Sequence, residues 1–479
     1  MTEQNATMEE RAAPSVRWAL AGLAMTMLLA SLGISIANVA LPTLVQAFGA
    51  SFQAVQWVVL AYLLAVTTLI VSAGRLGDQL GHRRVLLAGI AIFTSASALC
   101  GAAATLPMLI AARALQGLGA AILMALTLAL VRETIAKDKT GSAMGLLGTM
   151  SAVGTALGPS LGGLLLAGPG WRAIFYVMVP LGLVGFLLIW RSLPAGRRVP
   201  PGDSAGFDAW GTLLLGLTLA GYALSMTVGR GDFGGLNAAL LAAAAAAAVV
   251  LVLVETRVAS PLLRPAMFRD AALSASLVMN ALVATVMAVT LVVGPFYLSR
   301  ALGLDAVHVG AVLSVGPVVS ALSGVPAGRI VDHLGARAMV VAGLALMLAG
   351  TVALAALPGL FGLAGYITAL AVLAPGYQLF LAANNTAVMA DVAQDRRGVL
   401  SGLLNLARNL GFVTGASVMG AVFAAAVGES DITAASPDAV AFGLRIAFAV
   451  AAGLIAAALA TALAAPLRRA VRRPAAVAD

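Results

Sequence analysis

Charge is what this sequence has least of: only 10% of its 479 residues are Asp, Glu, Lys or Arg, whereas 61% are hydrophobic. A soluble domain carries about 25% charged residues because its surface must meet water. That scarcity excludes a soluble enzyme of this length and makes lipid the expected solvent. Cysteine is almost missing as well. Cys100 stands alone in an apolar run, which excludes a disulfide framework or cysteine metal cluster and marks it as a packing residue. His82, His308 and His333 are the only histidines and stand apart, so no paired metal ligands and no nucleophile–base set can be read. No catalytic residue, cofactor or metal is therefore expected. His308, near one end of a run, is read as interfacial.

What the chain has instead is recurring apolar runs. A helix crossing the hydrocarbon core needs about 20 residues at about 1.5 Å each. Fourteen such runs can be read, from 18–41 to 440–466, with 338–356 and 359–390 as separate spans. The first run exceeds the roughly 7–15 residues of a signal-peptide core, so it reads as an uncleaved span. Orientation follows from arginine and lysine, which are in excess in cytoplasmic loops. With the N-terminus inside, 22 of the 28 basic residues fall in cytoplasmic segments. The outer loops hold only Arg172, Arg230 and Arg300, and Arg113, Arg408 and Arg445 lie within spans. Both termini are thus expected in the cytoplasm. The net charge of +9 follows from topology and does not mark a nucleic-acid surface.

Two stretches about 254 residues apart match in register. Gly74–Arg84 (GRLGDQLGHRR) follows the second run, and Gly328–Arg337 (GRIVDHLGAR) follows the tenth. Gly154, Gly158 and Gly163 recur as Gly411, Gly415 and Gly420, with Ala416 where Pro159 stands. The chain accordingly divides into a polar tail, 1–16, a six-helix half, 17–192, and a linker, 193–206. Two inserted helices follow at 207–256, then a second six-helix half, 257–467, and a basic tail, 468–479. The expected fold class is all-α integral membrane with 14 transmembrane helices. Parallel repeats about an axis along the membrane normal are one transporter architecture, with substrate bound near mid-membrane between the halves.

Several groups stand out on physical grounds. Gly74 and Gly81 permit a tight turn, and Asp78 can cap a neighbouring helix and pair with an arginine such as Arg75, Arg83 or Arg84. Arg329, Asp332 and Arg337 repeat that arrangement. In the fifth run, Gly154, Gly158, Gly162 and Gly163 let helices approach closely, and Pro159 introduces a bend. Arg113, two turns into the fourth run, costs at least about 2.5 kcal/mol unless paired or facing a wet cavity. Gln116 shares its helix face. Asn384, Asn385, Arg408 and Asn409 lie where the halves should face each other, and Asn38, Gln56, Tyr62 and Asn280 are further polar candidates for substrate binding or coupling.

Through these motifs the chain resembles the major facilitator superfamily, specifically its fourteen-span drug/proton antiporter branch, over nearly its whole length. GRLGDQLGHRR is similar to the superfamily signature between spans two and three, and the glycine-rich fifth run to a motif of its exporters. The resemblance implies two six-helix halves plus two inserted helices, a cytoplasmic gate at the loop, and a role for Arg113 in proton transfer or substrate contact. It implies a monomeric exporter in the bacterial cytoplasmic (inner) membrane, driven by the proton gradient. Its partners would be the lipid bilayer, protons and a small molecule, with no nucleic acid. A facilitator-type importer of a small metabolite is the alternative on the same fold.

One departure bears on mechanism. Many members of that branch carry an aspartate where this chain has Gly33, and none of its 19 acidic residues falls mid-run. A buried carboxylate that holds either a proton or a cation is the simplest coupling device. Its absence leads to the expectation of neutral or anionic amphiphiles rather than lipophilic cations. Asp78, Glu133, Asp332 and Asp391 are then the nearest titratable groups.

Overall fold

In hydrocarbon, each backbone N–H and C=O must find its partner inside the chain. Helices meet that demand in the computed structural model, which describes residues 2–134, 140–193, 208–228, 234–258, 265–389, 397–428 and 435–464. The first half comprises α1 (Thr2–Val39), short α2 (Leu41–Phe48), α3 (Phe52–Leu80), α4 (His82–Ala102), α5 (Leu106–Thr134) and α6 (Thr140–Ala167), then α7 (Ala173–Tyr176) and α8 (Met178–Ser192). The inserted pair is α9 (Ala209–Thr227) and α10 (Gly235–Glu255). The second half begins with α11 (Ala271–Val292), α12 (Gly294–Phe296) and a π-helical turn, Tyr297–Ala301. It continues through α13 (Ala306–Leu334), α14 (Ala336–Met389), α15 (Arg397–Thr414), a second π-helical turn, Gly415–Met419, α16 (Gly420–Val427) and α17 (Pro437–Ala464). Polar caps open several spans: Ser51 accepts from Ala54 N–H, Asp208 from Gly211 N–H and Asp270 from Ala272 N–H. Asp208→Ala is expected to cost about 1 kcal/mol of stability, read as a lower Tm in detergent.

Thirteen helices among the described residues are long and apolar enough to cross a membrane. The fourteen runs read from sequence differ from that count at one place. The runs at 338–356 and 359–390 form the single 54-residue element α14, broken at Gly362, where φ is 53° and ψ is −126°. The break folds α14 back on itself. A Cβ at Gly343 would lie 2.6 Å from Phe380 N, one at Gly350 2.7 Å from Leu373 Cα, and one at Gly376 2.8 Å from Met347 N. Helical winding continues through Leu357, Pro358 and Gly359, so the two arms are joined without a polar loop.

The first half repeats this packing. Gly119 lies against the Phe93 backbone as Gly376 lies against Met347, and Gly89 against Ile122. Gly154 and Gly158 seat α6 on α1 at Leu28, Ser31 and Ser35, while Gly411 and Gly415 seat the fifth span of the second half on α11 at Ala281 and Thr285. Gly81 (φ 93°) and Gly335 (φ 87°) make equivalent sharp turns after α3 and α13. These turns mark one end of the bundle, called here the glycine-turn end; the starts of α3 and α13 mark the far end.

Candidate functional site

The halves meet at the far end along two seams that the repeat makes equivalent. At one, α6 and α13 approach until the Gly163 and Gly310 backbones touch; a Cβ on Gly163 would overlap the Ala306 carbonyl oxygen, and one on Gly310 the Pro159 carbonyl oxygen. At the other, Gln56 of α3 donates through Nε2 to the carbonyl oxygen of Ala416 at 3.0 Å, and packs on Gly420. Ala416 lies in the π-helical turn Gly415–Met419. Away from the far end, α13 exposes Leu322 and Val325, and a Cβ at Gly316 or Gly324 would meet nothing within 4 Å. A cavity of about 230 Å³ opens between the halves at the far end, lined by Pro42, Thr43 and Gln46 from one half and by Ser299, Arg300 and Val309 from the other.

Arg113 is fully buried inside the first half. Its Nε donates to the Val58 carbonyl oxygen at 2.8 Å, and Nη1 donates to Gln116 Oε1. The guanidinium carbon stands 4.2 Å from the Tyr62 ring centroid, where the aromatic face attracts a cation. Gln116 is held in turn through Nε2 to Ser97 Oγ at 2.7 Å. Arg113 Nη2 has no hydrogen-bond partner among the described residues. Tyr62 donates to the Ala30 carbonyl oxygen at 2.9 Å and so closes the cluster onto α1. Gly33 faces this cluster: a Cβ there would lie 3.0 Å from the Tyr62 hydroxyl and 3.3 Å from the Phe93 ring.

The other polar candidates are dispersed. Asn280 Nδ2 donates to the Leu404 carbonyl oxygen at 2.7 Å, and Asn384 Nδ2 to that of Ser276 at 3.4 Å, both within the second half. Asn38 bonds back to Ile34 and Ser35 of its own helix, and its Oδ1 has no partner among the described residues. Arg408 reaches Asn405 Oδ1 at 2.9 Å, Asn409 is buried and Asn385 is exposed. The structure thus brings together Arg113, Gln116 and Tyr62, makes Asn280 and Asn384 staples within the second half and Gln56 a contact between the halves, and leaves Asn38, Asn385, Arg408 and Asn409 apart from these.

In the signature loop, His82 pairs with Asp78 at 2.9 Å and Arg83 donates to the Trp190 carbonyl oxygen at 2.7 Å. Arg84, Arg329, Asp332 and Arg337 are exposed, while Gly74 and Arg75 are half-buried. Glu133 has no described side chain, and Asp391 lies outside the described residues. At the far end, Asp305 caps α13. Its carboxyl is held below the usual range by the His308 backbone N–H, then by the imidazole. Sequence reading passed over Gly310, the Ala416 carbonyl, Tyr222 and Trp57. Gly310 belongs to no motif, and a backbone acceptor leaves no trace in residue identity.

Comparison with known proteins finds relatives over most of the chain. The model of the Major Facilitator Superfamily matches residues 23–416 and 276–478. The chain is 30% identical over 391 residues to the riboflavin transporter RibZ of Clostridioides difficile, covering 81% of this chain and 84% of that protein. It is 30% identical over 421 residues to the tetracenomycin C resistance and export protein of Streptomyces glaucescens, covering 86% and 76%. It is also 31% identical over 418 residues to the multidrug resistance protein Stp of Mycobacterium tuberculosis, covering 85% and 76%. Among solved structures, a bacterial homologue of the lysosomal transporter Spinster superposes with a TM-score of 0.65 at 16% identity, over 94% of this chain and 96% of that one.

Proposed function

The chain belongs to the Major Facilitator Superfamily, and from that premise we propose that it is a proton-coupled exporter of small amphiphilic compounds working by alternating access. It is a multi-pass membrane transporter of small molecules, not an enzyme. The observation that carries the reading is the pair of equivalent seams, Gly163–Gly310 and Gln56–Ala416, which join the repeat halves at one end. Halves that rock about a central site must close such seams on one side while opening the other.

Counting the arms of α14 as two spans gives fourteen, supported by its length of about 81 Å at 1.5 Å per residue against a hydrocarbon core of about 30 Å. We place the glycine-turn end in the cytoplasm. Arg75, Arg83, Arg84, Arg191, Arg329 and Arg337 gather there, against Arg172 and Arg300 at the far end. Both termini then face the cytoplasm of a bacterial inner membrane, and the protein works as a monomer. Neutral or anionic substrates are favoured, because among the described residues the cluster at Gly33 holds Arg113 without a carboxylate.

The relatives named for export favour outward flux, whereas the likeness to a riboflavin transporter supports a second reading, import of a metabolite. Proteoliposomes with an imposed pH gradient decide between them, with riboflavin and tetracenomycin C as first test compounds. Export predicts proton-driven flux from the cytoplasmic face, with quaternary ammonium dyes poorly moved. Flux that ignores the gradient rules out antiport, and proton-driven flux toward the cytoplasm selects the second reading.

A further inference from the structure

The inserted helices have no counterpart in either repeat, and their polar contacts show where they belong. α9 runs antiparallel to α3 and is bonded to it near both ends. Ser72 and Thr212 share a hydrogen bond of 2.6 Å near the cytoplasmic end, and Trp57 Nε1 donates to Thr227 Oγ1 at 3.0 Å near the far end. Between them, a Cβ at Gly216 would lie 3.2 Å from Thr68. α10 packs on α9 and exposes Val249, Val252 and Leu253 to lipid. Toward the second half, α9 extends Tyr222, whose hydroxyl donates to Thr414 Oγ1 at 3.3 Å.

Thr414 immediately precedes the π-helical turn whose Ala416 carbonyl accepts from Gln56. A π-bulge disturbs the regular backbone ladder, and in lipid a carbonyl short of partners is costly. Two hydrogen bonds from the α3–α9 side therefore converge on Thr414–Ala416. The equivalent seam is different: Pro159 stands where Ala416 does, and its carbonyl meets Gly310, which has no side chain to donate. One seam carries side-chain hydrogen bonds beside the Phe52–Phe296 and Phe52–Phe423 ring contacts and is covered by α9; the other carries no side-chain hydrogen bond across it among the described residues and leaves Leu157 and Leu164 exposed.

We infer that the inserted pair is a fixed part of the N-terminal half that shields the hydrogen-bonded seam from lipid, and that Gln56–Ala416 and Tyr222–Thr414 form the latch released when the far end opens. The inference rests on the alternating-access reading, so the experiment contains a control for it. Met108 on α5, Leu236 on α10 and Phe442 on α17 are exposed at the far end and report on the first half, the inserted pair and the second half. Spin labels go there in pairs, in full-length protein carrying Cys100→Ala. As pH and test compound are varied, Met108–Leu236 is expected to keep one distance, while Leu236–Phe442 and Met108–Phe442 gain a longer population together. Gln56→Leu, which keeps the bulk but loses the donor, should raise that population about threefold. Tyr222→Phe, which deletes a single oxygen, should act in the same direction and carries the test if Gln56→Leu misfolds. A split Met108–Leu236 distance with a moving Met108–Phe442 pair overturns the inference alone, as does an unchanged population in Tyr222→Phe. A Met108–Phe442 distance that never changes overturns the alternating-access reading, and the inference with it.

Discussion

Gly310→Ala is expected to reduce transport at least about fivefold while leaving a folded protein. The added methyl would overlap the Pro159 carbonyl oxygen and press on Gly163 Cα. Both are backbone, so no side chain can swing aside and the halves themselves must separate. Overpacking of this kind costs about 1–3 kcal/mol, and about 1.4 kcal/mol is a tenfold change in an equilibrium. The cost falls on the state closed at the far end, because only there do α6 and α13 need this contact. Gly163→Ala, which meets the Ala306 carbonyl, should behave alike, whereas Gly316→Ala meets nothing within 4 Å and should transport normally. Proteoliposome flux and thermal unfolding, measured on the same preparations, check this. Normal flux through Gly310→Ala would mean the seam does not close during the cycle.

Arg113→Met is expected to separate stability from function. The guanidinium is fully buried, with a backbone carbonyl, an amide oxygen and an aromatic face as partners, and with one nitrogen unpaired among the described residues. Holding a charge in a span costs about 2.5–3.5 kcal/mol on insertion scales. Interhelical hydrogen bonds in membranes return only about 0.6 kcal/mol each on average. Methionine removes that cost and fills much of the volume, so Tm should stay level or rise while transport falls at least tenfold. Lysine should not rescue, because one ammonium cannot occupy both the Nε position at Val58 and the Nη1 position at Gln116. A Tm loss that accounts for the lost flux would make Arg113 a structural element.

Gly33 refines the test. Gly33→Asp would place a carboxylate against Tyr62, which covers Arg113. It should be tolerated with Arg113 present and be more damaging in Arg113→Met, by a coupling of about 1–3 kcal/mol in a double-mutant cycle. Additive effects would show that the two positions do not communicate.

What could be read in the sequence was whatever is local or repeated. Gly81 and Gly335 make their turns where the repeated loops put them, and Gly154 and Gly158 seat α6 on α1 as small residues at that spacing should. What could not be read depends on distant or anonymous partners. Gln56 bonds a carbonyl 360 residues away, and every residue type offers the same carbonyl. The burial of Arg113 is satisfied by Val58 O, a group that has no letter in the sequence. The seat of α9 on α3 rests on hydroxyls and one indole, Trp57–Thr227 and Ser72–Thr212, with no charge or motif to announce them. The junction inside α14 was read as an ordinary interval between spans because Leu357–Gly359 gives no sign that helical winding persists.

That junction also holds the one offset in spacing between the two repeats. Gln56, Gly89 and Phe93 lie 254 positions before Gly310, Gly343 and Met347, whereas Gly119, Pro159 and Gly163 lie 257 before Gly376, Ala416 and Gly420. The two copies fell out of step by three residues between Met347 and Gly376, the interval that contains the Gly362 reversal. The first copy turns through the short non-helical stretch Ala103–Thr105; the second winds its longer connection into helix with a single break. The length difference is confined to the hairpin tip, and the glycine contacts on either side keep their pairing.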